Sequence, residues 1–186
     1  VQILEILERH ITVDNEIREF VQHKTHTETH PKGTLLTRQN QYSRKIYFME
    51  EGLAPSFYYE NGKDITTNFY TEGKILGNVD SIFTGVPTRY NFEVLEESTL
   101  VSCNYQELEA LCAVSLPAAN FSRYILGNLM TQTLARLTSL QHMTAREKYE
   151  QLLEENPGII LRAPLGMIAT YLGISQETLS RIRSEK

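Results

Sequence analysis

Along the chain, apolar positions change spacing twice. At the start, Ile3, Leu4, Ile6 and Leu7, then Ile11, Ile17, Phe20 and Val21, recur as on an amphipathic helix. From about residue 25 to 102 that period disappears. Short apolar or alternating runs replace it at 34–36, 46–49, 56–59, 65–70, 90–95 and 99–102, separated by Gly, Asn and Pro. Asn61-Gly62 between two runs predicts a tight hairpin, because both residues tolerate positive φ. Many short strands at this spacing predict an antiparallel barrel or jelly roll.

The helical period then returns. Asn104 is a candidate cap before Leu108, Leu111 and Cys112, and Ser115 followed by Pro117 predicts a second helix start. From there to about residue 141 there is no further proline, and Gly127 is the only glycine. Leu126, Met130, Leu137 and Leu140 form a stripe of roughly 3.5-residue period, the seam of a helix pair, interrupted by Thr133. With a small module following, this reads as a seam between two copies of the chain. A shorter helix is expected over about 144–155, stopped by Asn156-Pro157-Gly158.

Residues 165–186 carry the most information. Ile168, Leu172, Ile174, Leu179 and Ile182 have the spacing of two short helices meeting at a sharp angle. Ala169 is small where the helices approach, Gly173 suits a left-handed turn, and Ser175 suits a cap on the second helix. Gln176, Glu177, Ser180 and Arg181 project away from the Leu179/Ile182 side. Arg pairs with guanine, Glu accepts from cytosine and Gln pairs with adenine. Thr178 and Arg183 are better placed for phosphates, which position without specifying.

Charge adjusts this picture. The formal net charge is −5 and the pI about 5.6. The acidic excess lies within residues 1–140, and the remainder is balanced. DNA contact would have to be local, with little help from a broad basic face. No apolar run approaches the ~20 residues of a membrane span. Charges interrupt the opening apolar pattern, so no signal peptide is expected, and a cytoplasmic location is. As the chain opens on Val1, further N-terminal residues are expected. Cys103 and Cys112 could form one disulfide, but read better as reduced core thiols, and a four-thiolate cluster is excluded. His23, His26 and His30 cluster, with His26, Glu28 and His30 on one face of a strand. That stretch is wholly polar and reads as a solvated edge strand, so no metal is expected.

Taken together, the chain resembles the Crp/Fnr (catabolite activator) superfamily of transcription regulators over nearly its whole length. In the front the resemblance rests on Lys32-Gly33, Ile46-Tyr47-Phe48 leading to Gly52, Asn61-Gly62-Lys63, and Glu72-Gly73 leading to Gly77. At the back it rests on Thr144-Ala145-Arg146 and, more specifically, on Ile168-Ala169 and the run from Leu172 through Gly173, Ile174, Ser175, Gln176, Glu177, Thr178, Leu179, Ser180 and Arg181 to Ile182. It implies an α+β protein: an antiparallel β-roll of cyclic nucleotide-binding type over 1–114, a dimerisation helix over 115–141, and a helix-turn-helix over 142–186 whose second helix enters the major groove. A β-wing, common after that helix, is expected to be absent or to lie past residue 186. The implied partners are double-stranded DNA and a second copy of the chain, with RNA polymerase a further one.

The resemblance weakens where an effector would sit. Members that bind cyclic AMP open the phosphate cassette with Gly-Glu and pair the cyclic phosphate with an Arg. Here the opening is Gly77-Asn78, the arginine slot falls on Thr88, and Arg89 comes one residue late, which on a strand is the opposite face. Thr131 falls near where the adenine is usually met. The expectation is that cyclic AMP is not bound, no cofactor is required and the effector is unassigned. A pocket filled by side chains, a different effector, and phosphate binding by Arg89 through a shorter loop stay open. A cupin-type jelly-roll enzyme would need histidines on inner strands, yet none lies between Pro31 and Gln141, and no Ser/His/Asp constellation stands out. An enzyme is not expected. A helix-turn-helix that binds protein instead of DNA is the remaining alternative.

Overall fold

A computed structural model describes residues 2–185. The opening amphipathic segment forms two helices where one was expected, α1 (Gln2–Glu8) and α2 (Asn15–Lys24). Asp14 restarts the helix, its carboxylate accepting the Ile17 N–H at 2.9 Å. The same carboxylate accepts the Ser115 hydroxyl at 2.6 Å, tying this start to a later one.

Eight strands follow: β1 (Thr25–His30), β2 (Leu35–Thr37), β3 (Lys45–Glu51), β4 (Ala54–Glu60), β5 (Lys63–Tyr70), β6 (Ile75–Gly77), β7 (Asn91–Glu93) and β8 (Ser98–Asn104). Between β6 and β7 lies α3 (Val79–Thr84), too short for a periodic signal and not anticipated from the sequence. The strands form two four-stranded antiparallel sheets, in the orders β1-β8-β3-β6 and β2-β7-β4-β5. Asn61 and Gly62, at φ 51° and 75°, make the two-residue β4–β5 turn. Tyr47, Met49, Ala54, Leu76, Phe92, Val94 and Leu100 fill the space between the sheets. The polar β1 takes an edge, where its exposed side chains cost nothing in burial.

The rest of the described chain is helical: α4 (Tyr105–Val114), α5 (Leu116–His142), α6 (Ala145–Glu155), α7 (Pro157–Arg162), α8 (Leu165–Leu172) and α9 (Gln176–Ser184). Asn104 and Ser115 cap α4 and α5 as their sequence contexts predict. Thr144 and Glu147 form a reciprocal capping box at α6. Pro157 ends α6 but also begins α7, which the sequence reading missed. Proline's fixed φ suits a first helical position as well as it stops the preceding helix.

Two further cores complete the architecture. Ile17, Val21, Leu111 and Ala118 join α2, α4 and the start of α5. A second cluster unites α6–α9 through Tyr149, Leu152, Ile159, Ile160, Ile168, Leu172, Leu179 and Ile182, and takes in Leu53, Phe69 and Leu95 from the roll. The fold is α+β, a two-sheet roll followed by a long helix and a helix-turn-helix. Among the described residues no helix is long and apolar enough to cross a membrane.

Candidate nucleic-acid interface and effector pocket

Gly173 takes φ 68°, and the Ile174 N–H returns to the Ala169 carbonyl at 3.0 Å, closing α8. Ser175 caps α9 by accepting the Thr178 N–H at 3.1 Å. Its hydroxyl also donates to Thr178 Oγ1 at 3.1 Å. Both side chains are therefore engaged in the cap, a role the reading of Thr178 as a phosphate contact left out. Leu179 is 0% exposed and Ile182 is buried, which fixes the rotation of α9. Gln176, Glu177, Ser180 and Arg181 then lie exposed, and Arg183 is exposed too. Among the described residues neither Arg181 nor Arg183 has a side-chain partner. The Glu177 carboxyl is held below its ordinary value by its own backbone N–H and the Ser175 hydroxyl. At neutral pH α9 thus presents an amide, an ionised acceptor, a hydroxyl and an unpaired guanidinium, a set able to read base edges.

Of the cassette residues, Thr88 and Arg89 gather on a different centre, Asp80. Gly77 closes β6, and Asn78 precedes α3 with its side chain 1% exposed. Neither amide atom of Asn78 has a partner among the described residues. Thr88 is wholly buried. Its hydroxyl donates to the Asp80 carboxylate at 3.0 and 3.2 Å. The Arg89 and Ser81 N–H groups donate to the same carboxylate at 2.8 Å each. No cation pairs with Asp80 among the described residues. The sequence reading, intent on the arginine slot, passed over Asp80. Residues 88 and 89 lie in a loop, not a strand, with Thr88 buried and Arg89 exposed. The Arg89 guanidinium sits over the Tyr58 ring, 4.5 Å from its centroid, and 3.6 Å from Glu60, with most of the side chain in solvent. Thr131 is exposed on α5, and its hydroxyl donates to the Gly127 carbonyl at 3.0 Å, so no hydrogen bond among the described residues joins it to the cassette.

On α5, Leu126, Met130 and Leu137 are exposed, as is Leu134, which the sequence reading missed beside the interrupting Thr133. Leu140 is shared: partly exposed, it also lies where a Cβ on Gly173 would meet it at 3.3 Å. Cys103 and Cys112 are free thiols, and burial, then Glu107, pushes Cys103 up to about 11. No group of His, Cys, Asp or Glu among the described residues is arranged to hold a metal.

A family model for the cyclic nucleotide-binding domain matches residues 27–115. No curated protein sequence matches the chain. Among solved structures, FixK2 from Bradyrhizobium japonicum superposes with a TM-score of 0.75 at 18% identity, covering 87% of this chain and 83% of its own. The catabolite activator protein of Thermus thermophilus gives 0.60 at 16% identity over 96% and 85%. A second protein of Thermus thermophilus, a transcriptional regulator of the CRP family, gives 0.66 at 19% over 85% and 83%. Residues 27–115 thus match the model of the cyclic nucleotide-binding domain, and the chain shares the fold of these solved structures.

Proposed function

We propose that the protein is a homodimeric transcription regulator that reads an inverted-repeat operator through α9, and whose roll does not take cyclic AMP. The observation that carries the reading is the uncovered face of α9, with Arg181 unpaired among the described residues and the helix held by fully buried Leu179. A guanidinium left without an internal partner on a helix end of this shape suits a guanine edge. In this reading residues 1–114 form the sensor domain, 115–141 the dimerisation helix and 142–186 the DNA-binding domain. The solved structures named above as regulators support a non-enzymatic role. In-vitro selection of duplex DNA by the purified protein tests it. An inverted repeat with half-sites about one helical turn apart is the expected product. Failure to enrich any sequence would leave protein binding by the helix-turn-helix as the better reading.

The second half of the proposal rests on Asp80. Its carboxylate already accepts the donors of the Thr88–Arg89 loop, so an incoming phosphate would meet a like charge where it needs a cation. Arg89, engaged with Tyr58 and Glu60, offers no replacement from its observed position. Calorimetry with cyclic AMP and cyclic GMP should give no heat of binding up to about millimolar ligand. Sub-micromolar binding would mean that Arg89 swings inward and Asp80 leaves, and would overturn this half of the reading.

A further inference from the structure

We infer that Arg162 is a positioning residue for the proposed DNA reading: it clamps the helix-turn-helix module to one end of the roll and so sets the spacing at which a dimer presents its two recognition helices. The inference rests on the DNA-binding reading above. The covalent link between α5 and α6 does not set that geometry. Met143 and Thr144 are both extended there, at ψ 143° and 163°, and two extended residues can act as a hinge.

The module is held by the end of α5, where the Ser139 hydroxyl donates to Gln151 at 3.3 Å and Leu140 lies beside Gly173, and by its contact with the roll. Gly52, Glu72 and Glu96 lie in the β3–β4, β5–β6 and β7–β8 connections, each of which crosses from one sheet to the other. Arg162, from α7, bonds Glu72 through two nitrogens at 2.7 and 3.2 Å, and Glu96 through Nε at 3.0 Å. Glu72 in turn accepts the Gly52 N–H at 3.1 Å. One guanidinium from the helical module thus ties three corners of the roll. Beneath it, Leu53, Phe69 and Leu95 from the same end share a core with α6–α9. Alongside, the Thr66 N–H donates to Thr170 Oγ1 at 3.2 Å. Tyr171 meets Phe69 edge-on at 5.2 Å and lies under the Arg136 guanidinium at 3.6 Å, which links the contact to the long helix.

The charge state suits a clamp. Glu96 and Glu72 hold the Arg162 guanidinium above its ordinary pKa. Burial pushes Glu72 up, but Arg162 and the Gly52 N–H outweigh it, and its carboxyl ends below the ordinary range. Without Arg162, two carboxylates would share the socket with no cation between them. Because α9 keeps its reading face exposed in this docked arrangement, the contact orients the module without masking it.

Two variants and one conservative control test the inference on duplexes carrying the selected half-sites at the selected spacing and at spacings one and two base pairs longer or shorter. Arg162→Ala, and separately the isosteric pair Glu72→Gln with Glu96→Gln, should bind the selected spacing about tenfold more weakly, as expected if the competent orientation falls to about a tenth of molecules. Both should discriminate less between spacings while keeping the same base preference within a half-site. Arg162→Lys should recover part of the loss, since it keeps the charge but not the fork. Circular dichroism reports whether each variant folds, and the glutamine pair leaves the helical module untouched. Hydrogen exchange of β5, through the Thr66 amide, supplies a readout without DNA and should quicken in both variants. Unchanged spacing preference, tighter binding on release, or a loss confined to Arg162→Ala would each overturn the inference, the last by pointing to direct phosphate contact. If the wild type binds no duplex, the DNA reading fails, and with it the role in spacing. The exchange arm still decides whether the clamp exists.

Discussion

Leu137→Glu should convert the protein from dimers to monomers. Leu137 is 51% exposed in the single chain, in line with Leu126, Met130 and Leu134, and Met130 is 61% exposed. An apolar stripe of this length on a 27-residue helix is unusual for a surface facing only water. In the proposed dimer, a second copy of the same helix, related by a two-fold axis, would cover it with the same stripe. Each leucine withdrawn from water contributes about 1.5–3 kcal/mol. The substitution acts once in each copy and also brings two carboxylates into an apolar seam without a cation. The dimer should therefore weaken by roughly a hundredfold to ten-thousandfold. Sedimentation velocity measures this directly, with Gln132→Glu on another face of the same helix as the control that should stay dimeric. The idea does not survive a wild type that is monomeric at about 10⁻⁵ M, or a Leu137→Glu variant that sediments like the wild type.

Arg181→Ala should cost about 1–3 kcal/mol in specific binding and relax the preference for one guanine in each half-site. Arg181 is exposed and has no side-chain partner among the described residues, so its truncation leaves none of them unsatisfied and the loss reports on DNA. Buried Leu179 and Ile182 hold the helix in place, so the variant should fold as the wild type does. Arg183 is exposed and without a side-chain partner among the described residues too, but it is read as a phosphate contact. Its truncation should weaken binding to all sequences alike and reduce the salt dependence. Titrations of both variants against selected and scrambled duplexes, at two salt concentrations, separate the two roles. Equal binding of both duplexes by Arg181→Ala and wild type would remove α9 as the reading element.

The parts of this protein that were legible in its sequence are those whose signal is local. The helix-turn-helix shows itself because Ile168, Leu172, Leu179 and Ile182 repeat at helical spacing around a single glycine, and Gly173 does take the left-handed conformation. The β4–β5 hairpin and the caps at Asn104 and Ser115 were fixed by neighbouring residues in the same way. Elements shorter than two helical turns, α3 and α7, carry too few apolar positions to set a period, and Asp14 split the first helix through one side-chain bond. Only tertiary structure decided what fills the cassette and how the helical module sits on the roll. Asp80 reaches Thr88 and Arg89 through a loop whose path no residue count could supply. Arg162 meets partners 66 and 90 residues away, on turns that approach each other only after both sheets have closed. A pairing across that distance leaves no periodicity in the chain, because it is set by where the sheets end and not by what stands next to Arg162.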